Sequence, residues 1–153
     1  MHNNSNIPIE MIESDMPLTL LGYGLLVDSG GAGRQRGGLG LWREWRIDST
    51  FAQLSTNLDR FKFRPFGLTG GEAAAASALY LIRDGRREAL PSKVTNVMLR
   101  KGDIVRLETS GGGGFGEPKM RLAEQVERDV RLGYVSPEAA ASCYGQRRAG
   151  TAE

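Results

Sequence analysis

The sequence predicts a mainly β, α+β fold: strands in a β-sandwich or barrel-like arrangement, joined by glycine-rich loops and followed by a C-terminal helical hairpin. Three observations carry this. Between residues 18 and 109 the apolar residues fall in short runs or with a period of two, as strands require. Glycine accounts for 21 of the 153 residues, and fourteen of the 21 sit in three clusters. Only after residue 119 does the apolar spacing lengthen to four.

Taken in order, Leu18 to Val27 is an apolar run and reads as the first strand. The first glycine cluster follows: Gly30, Gly31, Gly33, Gly37, Gly38 and Gly40. Leu39, Leu41, Arg43, Trp45 and Ile47 then alternate with Gly40, Trp42, Glu44 and Arg46, a half-buried strand. Phe51 to Leu58 continues in the same style, and the spacing pairs it with the preceding strand across Asp48–Ser49. Gly67, Gly70 and Gly71 make the second cluster. Ala73 to Ala76 is too short a run to stand as a helix. Ser77 to Arg83 is a strand ended by the turn signal Asp84–Gly85. Val94 to Leu99 and Ile104 to Thr109 are two more, joined by Lys101–Gly102–Asp103. Gly111 to Gly114 with Gly116 form the third cluster.

The last 35 residues are helical in pattern. Leu122, Val126 and Val130 recur at four-residue steps within Met120 to Leu132, and Gly133 fits a helix stop. Ser136 reads as an N-cap with Pro137 in the first helical position, and Gly145 ends this second helix. The expected division is a β-rich glycine-loop region over 1–118, a helical hairpin over 119–148 packed on it, and a frayed tail over 149–153.

Composition excludes several classes. No apolar stretch reaches the roughly 18 residues of a membrane span, and the polar, partly acidic start to Met16 is unlike a secretory signal. The single Cys143 forms no internal disulfide, and cytoplasmic location is expected. Sixteen Arg and four Lys against 18 acids are spread along the chain, without the basic stripe of a nucleic-acid binder. His2 is the lone histidine, which leaves no Ser/His/Asp set and no metal cluster to propose. No catalytic residue is assigned. Gly111, Gly113 and Gly116 satisfy G-x-G-x-x-G, but no βαβ unit follows, and Glu117–Pro118 stands where a Walker motif needs Lys–Ser/Thr. What remains is an anion cradle of backbone N–H groups over Gly111, Gly112, Gly113 and Gly114.

Five segments, taken in order, resemble the hydantoinase B/oxoprolinase family. They are Asn6 to Glu10, the loop Asp28 to Gly40 with the strand Trp42 to Arg46, Phe61 to Gly71, Thr109 to Pro118, and Asp129 to Ala140 with Tyr144–Gly145. Ile7, Ser110 and Glu117 depart from the family's usual Thr, Pro and Asp, and Ala73 to Ala76 replaces a glycine-containing stretch. The resemblance implies the C-terminal portion of a B-type subunit of an N-methylhydantoinase or oxoprolinase. Such enzymes open cyclic amide rings (hydantoin or oxoproline) with ATP, through phosphorylation of the amide oxygen, and work with an A-type, ATP-binding partner. It further implies that this chain binds no cofactor itself, that ATP and a divalent metal serve the complete enzyme, and that the isolated chain is inactive. An N-terminal B fragment would be a second partner, with neither nucleic acid nor membrane involved. Within that frame Arg34 and Arg36, beside the first loop, and Gly111 to Gly114 are the expected substrate- or phosphate-binding groups. The alternatives are a non-catalytic assembly module and a fragment of an acetone carboxylase-type α subunit. An apolar face left open for the absent part is expected as well.

Overall fold

The computed structural model describes residues 7–145, so His2, Arg148 and the expected tail 149–153 lie outside the described residues. The chain is mostly antiparallel sheet with three short helices. In order these are α1 (Ile9–Asp15), β1 (Leu18–Leu25), β2 (Leu41–Ile47), β3 (Phe51–Asn57), β4 (Ala78–Arg83), β5 (Arg86–Leu90), β6 (Lys93–Arg100), β7 (Ile104–Glu108), α2 (Ala123–Arg131) and α3 (Pro137–Tyr144). Two compact units share them. The first comprises residues 7–23, Arg43–Leu58 and Leu79–Leu107; the second comprises Gly24–Trp42, Asp59–Ala78 and the described residues from Glu108 on.

The strands form a five-stranded sheet in the order β1-β2-β7-β4-β5 and a two-stranded sheet of β3 and β6. β4 and β5 are an antiparallel hairpin, Leu79 opposite Leu90 and Arg83 opposite Arg86. Their two-residue turn has Asp84 at φ 51° and Gly85 at φ 74°, the pair of positive φ values that a type I′ hairpin demands. β5 itself (Arg-Arg-Glu-Ala-Leu) carries no apolar alternation. It is mostly exposed and forms because the turn folds it back onto β4.

Pairing corrects one expectation. β3 does not pair with β2 across Asp48–Ser49; it pairs antiparallel with β6, Phe51 opposite Arg100 and Asn57 opposite Lys93. The cause is local. Neither Asp48 nor Ser49 adopts the positive φ of a tight hairpin. Instead both donate their N–H groups to the Pro17 carbonyl, at 2.9 and 3.2 Å, while Arg46 Nε holds the Asp48 carboxylate at 2.8 Å. The link is therefore tied to the residues before β1 and cannot close on itself.

The core of the first unit is small: Ile47, Leu79, Leu81, Leu99 and Val105 are buried. Leu79 and Leu81 share a face of β4 by alternation. Beside them Asp103 is buried against Arg83, whose Nε donates to both carboxylate oxygens at 3.0 and 3.2 Å and whose terminal nitrogen also donates to Oδ2, and the Arg100 backbone N–H adds a third donor at 2.9 Å. An apolar groove of about 450 Å³ runs between Trp45, Ile47, Leu54, Leu99 and Val105. α1, unexpected from its polar sequence, lays Glu13 on the start of β1, where Oε1 accepts the Leu20 N–H at 2.8 Å.

In the second unit the helical end follows the expected stops. Ser136 caps α3 by accepting the Ala139 N–H, Pro137 follows it, and Gly133 and Gly145 take φ values of 69° and 72°. α2 starts later than the apolar spacing suggests. Pro118–Met120 form one 3-10 turn, Arg121 is extended, and Leu122 becomes the N-cap with 65% of its surface exposed. Val126 and Val130 keep the packing role, joining Val135, Ala140 and Tyr144 around Ala32. Cys143 packs against the same cluster, as an apolar side chain would.

The Arg83 hydrogen bond, followed by the Arg100 backbone donor, holds the Asp103 carboxyl below its ordinary titration range, against the opposing effect of burial. A carboxyl whose value is lowered by folding adds stability that is present above its unfolded value of about 3.9 and lost as pH falls through the folded one. Urea unfolding between pH 7 and pH 2 is expected to show wild-type stability falling steeply below about pH 4. Asp103→Asn is expected to be less stable at pH 7 and to lose less on acidification; equal slopes would contradict this.

Candidate functional site

The second unit is built on the three glycine loops, which come together backbone against backbone. Gly31 donates its N–H to Gly112 O at 2.9 Å, and Gly112 donates to Gly38 O at 2.8 Å. Gln35 and Phe115 exchange both backbone hydrogen bonds at 2.9 Å, an antiparallel bridge. Leu68 donates to Gly114 O and accepts from Gly116, a parallel bridge on the other side of Phe115. Glu72 closes the set, donating to Ala32 O at 2.7 Å and accepting from Gly114 at 2.9 Å. Each loop thus hydrogen-bonds both of the others.

At these distances a side chain does not fit. A Cβ on Gly37 would lie 1.8 Å from Gly112 O, on Gly113 1.9 Å from Phe66 O, and on Gly40 2.0 Å from Thr109 O. All are far inside van der Waals contact with backbone that has no room to move. Gly38, in the same loop, has nothing within 4 Å of the position. Ser29, fully buried, seals the entrance to the first loop: its Oγ donates to Leu26 O and accepts the Gly40 N–H at 2.8 Å.

The expected site residues separate into two kinds. In the anion cradle, Gly112 and Gly114 give their N–H groups to Gly38 O and Glu72 O, and Gly111 is packed against Ser29 O. Arg36 is largely buried. Its Nε donates to Asp129 Oδ2 at 3.0 Å, one terminal nitrogen donates to Gly37 O at 2.7 Å, and the guanidinium lies 5.4 Å from the Tyr134 ring centroid. Arg34 is exposed.

Sequence reading missed the partners of Arg36. Asp129 is buried and receives a second guanidinium, that of Arg121, at 2.9 Å; Arg121 also donates to Arg34 O at 3.0 Å. One carboxylate in this way ties the first loop to α2. The signal was present in the spacing, since residue 129 shares the helix face of Val126 and Val130. Arg121 Nε is buried with no partner, the sign of two cations gathered on one acid. A cavity of about 170 Å³ lies alongside, lined by Asp28, Arg64, Glu72, Val135, Cys143 and Tyr144. Burial pushes the Tyr144 phenol above its ordinary range. Arg64 turns its guanidinium to the Ala73 and Ala74 carbonyls. No group of three His, Cys, Asp or Glu side chains that could hold a metal ion occurs among the described residues. Nor, among them, is any helix long and apolar enough to cross a membrane.

Three ordered glycine loops locked backbone to backbone, with a capped helical hairpin tied to them through Asp129, define the class: a glycine-lock scaffold. The chain belongs to the hydantoinase B/oxoprolinase family, whose profile matches residues 1–118. It is 35% identical over 148 residues to the B chain of a putative D-/L-hydantoinase of a Pseudomonas species, covering 94% of this chain and 24% of that protein. The crystal structure of an ATP-dependent caprolactamase from Pseudomonas jessenii superposes with a TM-score of 0.83 at 30% identity, over 95% of this chain and 26% of that one. A nucleotide-free acetone carboxylase shares the fold, with a TM-score of 0.81 at 23% identity over 94% of this chain. This chain therefore spans about a quarter of the length of each of these three relatives.

The glycine contacts make a paired prediction. Gly37→Ala is expected to destabilise the chain by about 3 kcal/mol or more, because neither backbone can retreat. Gly38→Ala is expected to stay within about 0.5 kcal/mol; urea unfolding at pH 7 measures both, and equal effects would refute the backbone lock. Asp129→Ala is expected to cost about 3 kcal/mol, since it leaves two buried guanidinium groups unpaired. The same unfolding series reads that loss.

Proposed function

We propose that this chain is the C-terminal portion of a cytoplasmic B-type subunit that acts, with an A-type subunit, in the ATP-dependent hydrolysis of cyclic amide rings. The observation that carries the reading is the superposition on the ATP-dependent caprolactamase over nearly the whole chain, joined to the family match over residues 1–118. The relatives named for hydantoinase and caprolactamase activity favour hydrolysis over the carboxylase alternative, for which there is likeness of fold alone.

Few N–H groups of the third loop are left to hold ATP with its divalent metal ion. The described residues gather no metal-binding cluster, and the third loop's N–H groups at Gly112, Gly114, Phe115 and Gly116 are donated to neighbouring carbonyls. In this reading both groups belong to other parts of the assembly. What this chain supplies is a rigid wall. Its glycine lock holds Arg34 at a fixed place, since the Arg34 backbone donates to Gly116 O at 3.0 Å, while the side chain faces solvent. An exposed guanidinium on a fixed backbone suits an anionic group of the reacting substrate. Arg36, committed to Asp129 and Gly37 O, orients the loop that carries it.

The test is a chimera in which this chain replaces the matching quarter of the caprolactamase β chain, assembled with its partner subunit. Lactam-dependent ADP release above that of a β chain lacking this quarter is expected, and none from the isolated chain. Release no greater than that of the truncated β chain would remove the reading. Within the chimera, Arg34→Ala is expected to lower kcat/KM about tenfold, the loss of one charged hydrogen bond, with the melting temperature unchanged. Unchanged kinetics would take Arg34 out of the site.

A further inference from the structure

The two bridges that fix Phe115 also arrange a surface. Side chains of directly paired residues emerge on the same side of a sheet. Phe115 is paired with Gln35 on one side and Leu68 on the other, so these three stand in a row. Phe115 is 43% exposed and Leu68 57%, and Phe66, two residues before Leu68, is 73% exposed. The row stands on backbone that is hydrogen-bonded to both neighbouring loops and hemmed in by glycine contacts. It presents apolar surface without needing to fold in order to do so. Gln35, exposed and paired with Phe115, gives the row a polar end, the usual border of an interface.

An apolar row on rigid backbone marks an interface. We propose that Phe66, Leu68 and Phe115 form the docking surface for the part of a B-type subunit that lies outside the matched quarter, whether it is joined to this chain or separate from it. Two facts select that occupant. The superposed caprolactamase chain extends over about four times the matched length, so most of such a subunit is available to cover this unit. The fold of the matched piece is retained there at a TM-score of 0.83, so the same row backbone exists inside the larger protein. The proposal rests on the B-type reading given above, but its test reads physical coupling and not turnover.

The same chimera serves, probed by limited proteolysis at the junction and by thermal unfolding. The unsubstituted chimera is expected to melt in one transition with the junction protected. Phe66→Thr/Leu68→Thr/Phe115→Thr, which keeps β-propensity while removing apolar surface, is expected to split the transition and raise junction cleavage about tenfold or more. Phe51→Thr/Met98→Thr, exposed apolar residues of the first unit, is expected to match the unsubstituted chimera. In the isolated chain the triple variant is expected to shift the melting temperature by less than its effect in the chimera, since Phe66 and Leu68 are mostly exposed and Phe115 is half-buried within their own unit.

Four outcomes overturn the proposal: a triple-variant chimera that behaves like the unsubstituted one, an unsubstituted chimera already uncoupled, a control variant equally disrupted, or an isolated triple variant that is itself strongly destabilised. A dimer of the isolated chain that the triple substitution abolishes would assign the row to self-association and also overturn it. A chimera that is coupled but inactive would retain the docking surface and remove the hydrolase reading.

Discussion

Everything in the second unit depends on the contact of backbone with backbone. Three segments distant in sequence approach until carbonyl oxygens of one occupy the space where side chains of another would start, and only glycine permits that. The hydrogen bonds that result, Gly31 to Gly112, Gly112 to Gly38, Gly114 to Glu72 and Gly116 to Leu68, are short and mutually supporting. Glycine brings a large loss of chain entropy on folding. The arrangement offsets that loss by satisfying backbone donors that would otherwise be buried alone. The helical hairpin then closes on Ala32 from the first loop, and Asp129 joins the hairpin to Arg36 of the same loop.

This explains how much could be read from the sequence. The glycine loops and their order were legible because the requirement is absolute: a position that cannot accept a Cβ leaves its mark residue by residue. The same holds for Ser136, Pro137, Gly133 and Gly145, where local backbone geometry dictates the residue type. Strand pairing was not legible at β3. Its partner is β6, some forty residues on, and the choice was made by Pro17 and Asp103, which capture the backbone at Ile47 to Ser49. β5 and α1 have no apolar rhythm and exist through a turn and through Glu13, which a pattern of hydrophobicity does not register. The Arg36–Asp129–Arg121 tie joins residues 93 and 8 apart in sequence, and charge alone never says which acid meets which base.

The structure also changes what a glycine-rich loop means here. A G-x-G-x-x-G spacing at a strand-to-helix junction invites a phosphate because its N–H groups are free to point outward. In this chain the donors of Gly112, Gly114 and Gly116 point into neighbouring loops, and Gly111 and Gly113 pack against the Ser29 and Phe66 carbonyls, so here glycine also serves proximity between chain segments. The two uses give the same sequence signature. What separates them is the presence of other glycine clusters for the first to pack against, and three clusters in one short chain is that condition.

A lock of this kind has a consequence for association. Docking loses affinity when loops must be ordered at the moment of contact. Here the segments that carry Phe66, Leu68 and Phe115 are ordered beforehand by their glycine neighbours, so apolar surface is offered with little entropy left to lose. The same rigidity acts on Arg34, whose backbone is pinned to Gly116 while its guanidinium reaches solvent. Surface and charge are then fixed in one frame, because Phe115 lies between Gln35, next to Arg34, and Leu68. Arg34 leaves on the Gly116 side, its Cβ 3.2 Å from where a Gly116 Cβ would lie, while the row stands on the Phe115 side. Segments packed this closely, backbone to backbone, are rigid before anything meets them, and the glycines are what make them so.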